Sequence, residues 1–289
     1  MHPAPSVIAF TALSGLGFGL LAWLCLGLPP VTGGVAFVFF FIGYALAVGG
    51  LLASVLHLAN PKNAVKAFSQ WRSSWLSREG ISAIVALLVV AIFAIGVIFF
   101  DVRLRIVGAV AALLCLWTVF TTSMIYTQLR TVPRWNSWTT PPIFLLHALG
   151  GGALLAGQPR LAAILLIVLG FLMAWAWIKG DEKGRAGSTM ESATGLGRIG
   201  KVRQLEAPHT GENYLLREMA YRVGRKHAFK LRVIALVLGY ALPAALMLLV
   251  PVTHLTAVIA IAAHLAGVLA GRWLFFAEAE HVQALYYGR

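Results

Sequence analysis

Charged residues and cysteines are both scarce in this 289-residue sequence. Only 11% of the residues are Asp, Glu, Lys or Arg, whereas 60% are hydrophobic, which is unlike a typical water-soluble domain. The two cysteines, Cys25 and Cys115, form no CxxC pair, so neither a disulfide framework nor a metal site within this chain is expected. No Lys or Arg precedes the first apolar stretch, which favours a retained first span over a cleaved signal peptide.

Long apolar segments take the place of the missing charge, and each can cross a hydrocarbon core of about 30 Å. We predict an all-α integral membrane protein, a single anchor domain over 1–289 with eight transmembrane helices in a bundle. A polar connection, 179–228, is predicted to dock partner proteins. The predicted spans are 6–28, 34–59, 78–100, 104–128, 140–157, 161–178, 229–250 and 252–277.

Basic residues are distributed unevenly between the two sides of this predicted bundle. Arg103, Arg105 and Arg160 fall on one side, and the other 20 of the 23 Lys and Arg residues fall on the side of the termini. Because cytoplasmic loops are enriched in Lys and Arg, both termini are predicted to be cytoplasmic, in a bacterial inner membrane. The net charge of +13 is therefore attributed to lipid and protein partners, not to nucleic acid.

Ionisable residues concentrate where the second and third spans are joined. His57 lies near the end of one span and Glu79 at the start of the next, so both are expected at the same membrane face. Reduction of a quinone consumes two protons, which a histidine and a carboxylate can exchange. The simpler alternatives are a His57 ring that reaches the interface and a Glu79 that complements the helix dipole.

Nearby polar and aromatic residues complete this predicted quinone pocket. Arg72 is expected to orient the head group or to contact a partner subunit. An aromatic belt at the membrane interface is the alternative interpretation of the aromatic residues. The other predicted pocket residues are Ser74, Trp75, Arg78, Tyr126 and Arg130.

Arg272 and Glu278, at the end of the eighth span, are expected to support the pocket. An arginine at this depth needs a partner, for which Glu278 and Glu79 are candidates. Structural pairing is the alternative to a direct role in the chemistry.

Three further patterns concern helix contacts and partners. The glycines Gly15, Gly17 and Gly19 predict a surface that a neighbouring helix approaches closely. His147 and His264 lie inside apolar segments, where interhelical hydrogen bonds are favoured over haem ligation. A basic amphipathic helix over 214–232 is predicted to bind anionic lipid or a partner protein, through Arg217, Arg222, Arg225 and Lys226.

Three motifs together resemble one protein family. They are HLANPxxAxxAF from His57, followed by Arg72 and Ser77-Arg78-Glu79; MIYTQLRTVPRWN over 124–136; and the GR…FF…H ending. They look like the membrane-anchor subunit of DMSO-reductase-type molybdoenzymes, the DmsC family. The resemblance implies a noncatalytic, haem-free subunit that binds a four-cluster [4Fe-4S] protein and a molybdopterin catalytic subunit. It also implies electron exchange with ubiquinone or menaquinone, with His57 as the quinone-site histidine and Glu79 as the acidic residue.

The predicted orientation departs from part of that family. In the enterobacterial DMSO reductases the face that carries the quinone loop is periplasmic, whereas here the basic residues place it in the cytoplasm. This orientation and the insert in 179–228 resemble the anchors of cytoplasm-facing, sulfite-oxidising complexes, the SoeC type, and imply sulfur respiration. The alternatives are an anchor of a quinol-oxidising DMSO, S-oxide or N-oxide reductase, a haem b anchor, and a secondary transporter built from inverted repeats.

The predicted orientation is tested by reporter fusions at the C-terminus. We expect green fluorescent protein to fluoresce there and alkaline phosphatase to be inactive, because a cytoplasmic terminus suits the first reporter and not the second. Phosphatase activity at the C-terminus would contradict the orientation.

Overall fold

The computed structural model describes residues 1–56, 65–66, 68–185, 187–206, 211 and 227–287. Within these ranges the regular secondary structure is helical and no strand occurs, which confirms the all-α prediction. The eight principal helices are α1 (Pro5–Cys25), α2 (Gly33–Val55), α3 (Trp75–Phe99), α4 (Arg105–Thr127), α5 (Thr140–Leu155), α6 (Pro159–Arg185), α7 (Ala228–Leu249) and α8 (His254–Ala277).

Seven of these helices are long and apolar enough to span a membrane, and α5 is shorter. Its 16 residues extend for about 24 Å at about 1.5 Å per residue. Arg134, just before α5, binds Asp181 near the end of α6, so α5 and α6 run antiparallel between the same two faces. Counted with α5, the bundle has the eight predicted helices.

Several helix boundaries differ from the sequence-based prediction. The first helix ends at Cys25 instead of residue 28. The third helix begins at Trp75 instead of residue 78. The sixth continues to Arg185 instead of ending at 178, because Asp181 finds arginine partners and its helical turn is stabilised there. The connection predicted as 179–228 therefore starts inside a helix. Further along it contains a short helix, Met190–Thr194, which is capped by Thr189.

Small residues let α1 occupy the centre of the bundle. Of its most apolar window, 72% is buried, against 28% for α2. A Cβ atom at Gly19 would meet the backbone of Ala148 in α5, and one at Gly17 would meet the backbone of Ala47 in α2. The predicted close approach is confirmed at these two positions. At Gly15 a Cβ would have no neighbour within 4 Å among the described residues.

A proline interrupts the hydrogen bonding of α7. Pro243 has no amide hydrogen, so the carbonyl oxygen of Gly239 loses its usual donor four residues on. The helix widens to a π turn over Val237–Ala241, and Nδ1 of His264 in α8 lies 2.6 Å from the Gly239 oxygen. Because a carbonyl only accepts, Nδ1 of His264 carries the proton. An interhelical hydrogen bond, as predicted, thus repairs the break.

The two ends of the described chain lie at the same face of the bundle. The N-terminal ammonium of Met1 donates to the carbonyl oxygen of Ala279 at 2.5 Å, directly after α8. The amide of Val282 donates to the carbonyl oxygen of Thr131 in the α4–α5 loop at 2.9 Å. We call this face, which also contains the end of α6, the terminal face.

The Gly19 contact is tested by substitution of single glycines. Gly19→Ala is expected to destabilise the protein by about 1–3 kcal/mol, because the added methyl group overpacks α1 against α5. Gly15→Ala is the matched control and should be neutral or stabilising, since alanine favours a helix over glycine. Thermal unfolding of the detergent-purified protein measures both. Equal effects of the two substitutions would contradict the packing described here.

Candidate functional site

Glu79 is a buried carboxyl group on α3, close to the terminal face. Its side chain is 4% exposed, and its Oε1 forms a short hydrogen bond with the Thr122 hydroxyl on α4. One turn deeper, the hydroxyls of Ser82 and Thr121 lie 3.3 Å apart. Glu79 is the fifth residue of α3, beyond the first turn where a helix dipole acts. The dipole interpretation of Glu79 therefore loses its geometric basis.

Residues 68–74 cover the start of α3. The Arg78 guanidinium donates to the carbonyl oxygens of Trp71 at 3.0 Å and Arg72 at 2.6 Å, which fixes this turn. A Cβ atom at Gly80, the residue after Glu79, would touch the ring of Phe68. The described residues 68–74 of this connection therefore lie against the helix turn that holds Glu79.

The remaining candidates in this region line the same end of α3. Ser74 is the residue before the first turn of α3, where its amide donates to Gln70 at 2.9 Å. The Trp75 ring packs edge-on against Phe120 of α4, with 6.1 Å between the ring centroids, and the Arg78 guanidinium lies 4.4 Å from the Trp75 ring centre. Trp75 lies four residues before Glu79, so the two side chains are on the same side of α3.

Tyr126 belongs to a buried aromatic cluster, not to an interfacial belt. It is 7% exposed, and its ring centroid lies 5.2 Å from that of Trp135 and 5.8 Å from that of Phe144. Phe275 and Phe276 of α8 complete the cluster. The cluster joins α4, α5 and α8 directly beneath the terminal face.

Four charged side chains form a network that connects four parts of the chain. Asp181 of α6 accepts hydrogen bonds from Arg134 at 2.7 Å and from Arg232 of α7 at 2.7 and 2.8 Å. Glu278, directly after α8, lies 2.7 Å from Arg232 and 3.5 Å from Arg134. Burial raises the pKa of the Glu278 carboxyl, and the two arginines oppose that change. We call these four residues the charge network.

Arg272 is the most deeply buried cation near this face. It is 3% exposed, and its guanidinium carbon lies 3.8 Å above the ring centre of Phe144. The predicted pairing with Glu278 or Glu79 is not found. Glu278 pairs instead with Arg134 and Arg232, because these two arginines approach it from the loop and from α7. Within the described part of the chain, the Nε atom of Arg272 has no hydrogen-bond partner.

The second buried histidine also forms the predicted interhelical contact. Nδ1 of His147 lies 2.8 Å from the carbonyl oxygen of Ile143 and therefore carries the proton. Its Nε2 then accepts from the Tyr240 hydroxyl of α7 at 2.9 Å. Both ring nitrogens of His147 are thus occupied within the bundle.

Several predicted residues are exposed or fall outside the described ranges. Arg72 lies on the surface, 5.3 Å from the ring centre of Trp71, and Arg130 is exposed in the α4–α5 loop. His57 lies outside the residues that the structure describes, so its role stays a prediction. The same holds for the docking residues Arg217, Arg222, Arg225 and Lys226.

Sequence analysis missed the hydroxyl partner of Glu79, although the pattern that locates it was present. Glu79 lies 22 residues before Asp101, and Thr122 lies 21 residues after it. In an antiparallel helix pair that turns at Asp101, these two residues have the same depth. The charge network offered no such simple relation, because its four residues come from elements that are distant in sequence.

These features define a multi-span membrane protein with buried polar groups near one face of its helix bundle. Residues 8–288 match the family model for the DMSO reductase anchor subunit, DmsC, and the chain belongs to this family. The chain is also 30% identical to a sulfite dehydrogenase subunit of Allochromatium vinosum, over 99% of each chain. No solved structure matches it. The protein is therefore a membrane anchor of the kind that serves a multi-subunit oxidoreductase.

The charge network is tested by removing its shared carboxylate. Asp181→Asn is expected to lower the free energy of unfolding by about 1–2 kcal/mol, because two arginines lose charged hydrogen bonds and the site is partly exposed. Glu182→Gln is the control, since Glu182 pairs only with the exposed Lys179 among the described contacts. Thermal unfolding in detergent measures both variants. A smaller effect for Asp181→Asn than for Glu182→Gln would contradict the role of the network.

Proposed function

We propose that this chain is the quinone-reactive anchor subunit of a heterotrimeric oxidoreductase that oxidises sulfite. In this proposal a molybdopterin subunit oxidises sulfite, a four-cluster iron–sulfur subunit relays the electrons, and this chain transfers them to a quinone. The name of the Allochromatium vinosum relative, to which this chain is 30% identical, supports sulfite as the substrate of the complex. This chain itself carries out no step on sulfite.

The burial of Glu79 is the observation that carries the quinone proposal. A carboxyl group inside a membrane bundle is expensive and usually functional. Among the described residues Glu79 has a hydroxyl partner, Thr122, and no cation is paired with it. A carboxyl group without an ion pair is free to change its protonation state. Glu79 therefore has the chemistry of a proton relay.

The surroundings of Glu79 suit an aromatic head group. Quinone reduction takes two electrons and two protons, and the product is a quinol. Trp75 and Phe68 place ring surfaces beside the turn of Glu79, and Arg78 holds the covering turn in place. In the proposal His57 donates to a quinone carbonyl, Glu79 relays protons from the aqueous phase, and Arg72 contacts the iron–sulfur subunit.

The position of the site near the terminal face also agrees with electron delivery by a peripheral partner. Electron transfer requires a short distance between the last iron–sulfur cluster and the quinone. The quinone site must therefore lie near the surface where the iron–sulfur subunit docks. The uneven distribution of basic residues supports a cytoplasmic location of this face. Protons for quinone reduction would then come from the cytoplasm.

The proposed role of Glu79 is tested by the isosteric variant Glu79→Gln in the assembled complex. We expect at least a tenfold loss of sulfite-dependent quinone reduction, because an amide does not exchange a proton in this way. Sulfite oxidation with a soluble artificial electron acceptor should keep its normal rate, since that reaction bypasses the quinone. His57→Ala is expected to show the same separation of the two activities.

The matched controls are Thr122→Val and Thr118→Val on the same helix. Thr122→Val removes the partner of Glu79 and should slow quinone reduction severalfold. Thr118 donates to the backbone of Leu114 at 2.9 Å, so Thr118→Val should leave the rate unchanged. Wild-type quinone reduction in Glu79→Gln would refute this site.

A further inference from the structure

A second polar site lies between α5, α6 and α8, apart from Glu79. It is a cavity of about 50 Å³ near the terminal face, lined by Arg272, Arg134 and Thr139 among others. Ala176 of α6 also lines the cavity. The proposed quinone reaction gives none of these residues a direct role, and the pocket support expected from Arg272 stays a prediction.

The size of the cavity limits what it can hold. A dry cavity that binds benzene has a volume of about 150 Å³, and one water needs about 10–15 Å³ by the same measure. The cavity of about 50 Å³ is therefore too small for an aromatic head group. Its size suits about three or four waters, or one tetrahedral oxyanion with its four oxygen atoms.

The unpaired N–H group of Arg272 indicates a ligand that accepts hydrogen bonds. Arg272 lines the cavity, is 3% exposed, and has an Nε atom with no partner in the described part of the chain. His147 also lines the cavity, but its two ring nitrogens are occupied by Ile143 and Tyr240. An arginine can bind an oxyanion side-on through two parallel N–H groups.

The charges around the cavity favour an anion over a neutral molecule. Three guanidinium groups, those of Arg134, Arg232 and Arg272, meet two carboxylates, Asp181 and Glu278, in the cavity wall and the adjoining charge network. One positive charge is left over.

We propose that this cavity binds a phosphate-type oxyanion, held chiefly by Arg272 with Arg134 beside it. The anion balances the excess positive charge, and it competes with Glu278 for Arg134, whose contact with Glu278 is the longest of the network at 3.5 Å. Free inorganic phosphate and the phosphate of a membrane phospholipid offer the same chemistry. The site therefore connects either ion concentration or lipid composition to the charge network that joins α6, α7 and α8.

The test measures binding of radiolabelled inorganic phosphate to the purified complex by equilibrium dialysis at fixed ionic strength. Native mass spectrometry of the same samples counts the retained phosphatidylglycerol. The variants are Arg272→Gln, which removes the cation, and Ala176→Val, which fills the cavity and keeps every charge. Lys183→Gln is the control for net charge, because Lys183 is exposed and bonds the carbonyl oxygen of Asn136 at 2.9 Å.

If the anion is free phosphate, the wild type and Lys183→Gln should bind one phosphate per complex. Both cavity variants should then bind it at least tenfold more weakly. If the phosphate belongs to a lipid, both variants should lose one phosphatidylglycerol that the control retains. If the Arg272→Gln complex does not assemble, the binding measured for Ala176→Val alone decides the test. The proposal is overturned if neither phosphate nor lipid binding changes in the cavity variants.

Discussion

Charged side chains in a membrane protein need partners of opposite charge, and four of them pair with each other at the terminal face in the charge network. Arg134, Asp181, Arg232 and Glu278 come from a loop, two helices and the segment after α8, so their ion pairs set how these elements meet. The network pairs these charged groups at a partly exposed end of the bundle. The aromatic cluster beneath it and the cavity beside it both depend on this arrangement.

The two polar sites differ in chemistry because their partners differ. Glu79 is hydrogen-bonded to the Thr122 hydroxyl and is not part of the charge network. Arg272 lies against an aromatic ring, and its Nε atom has no acceptor among the described residues. In the two proposals, one site exchanges protons beside a quinone and the other binds a small anion.

Sequence reasoning succeeded where a local pattern of residues determines the structural feature. Apolar length predicts the helices, small residues predict the close contact at Gly19, and a histidine inside an apolar segment predicts a hydrogen bond such as that of His264. It failed where the answer depends on how distant elements meet. The end of α6 was placed too early because the arginine partners of Asp181 lie far away in sequence. The predicted pairing of Arg272 with Glu278 failed for the same reason, because Glu278 pairs with Arg134 and Arg232, which are distant in sequence.

In the proposed function, this anchor transfers electrons from a sulfite-oxidising complex to quinone at the cytoplasmic face. That transfer can be followed as the redox state of the quinone pool in inside-out membrane vesicles after addition of sulfite. These vesicles expose the cytoplasmic face to the added sulfite. We expect rapid quinone reduction that disappears when the gene for this chain is deleted. Quinone that stays oxidised in these vesicles, while the complex still oxidises sulfite with a soluble acceptor, would contradict the proposed function.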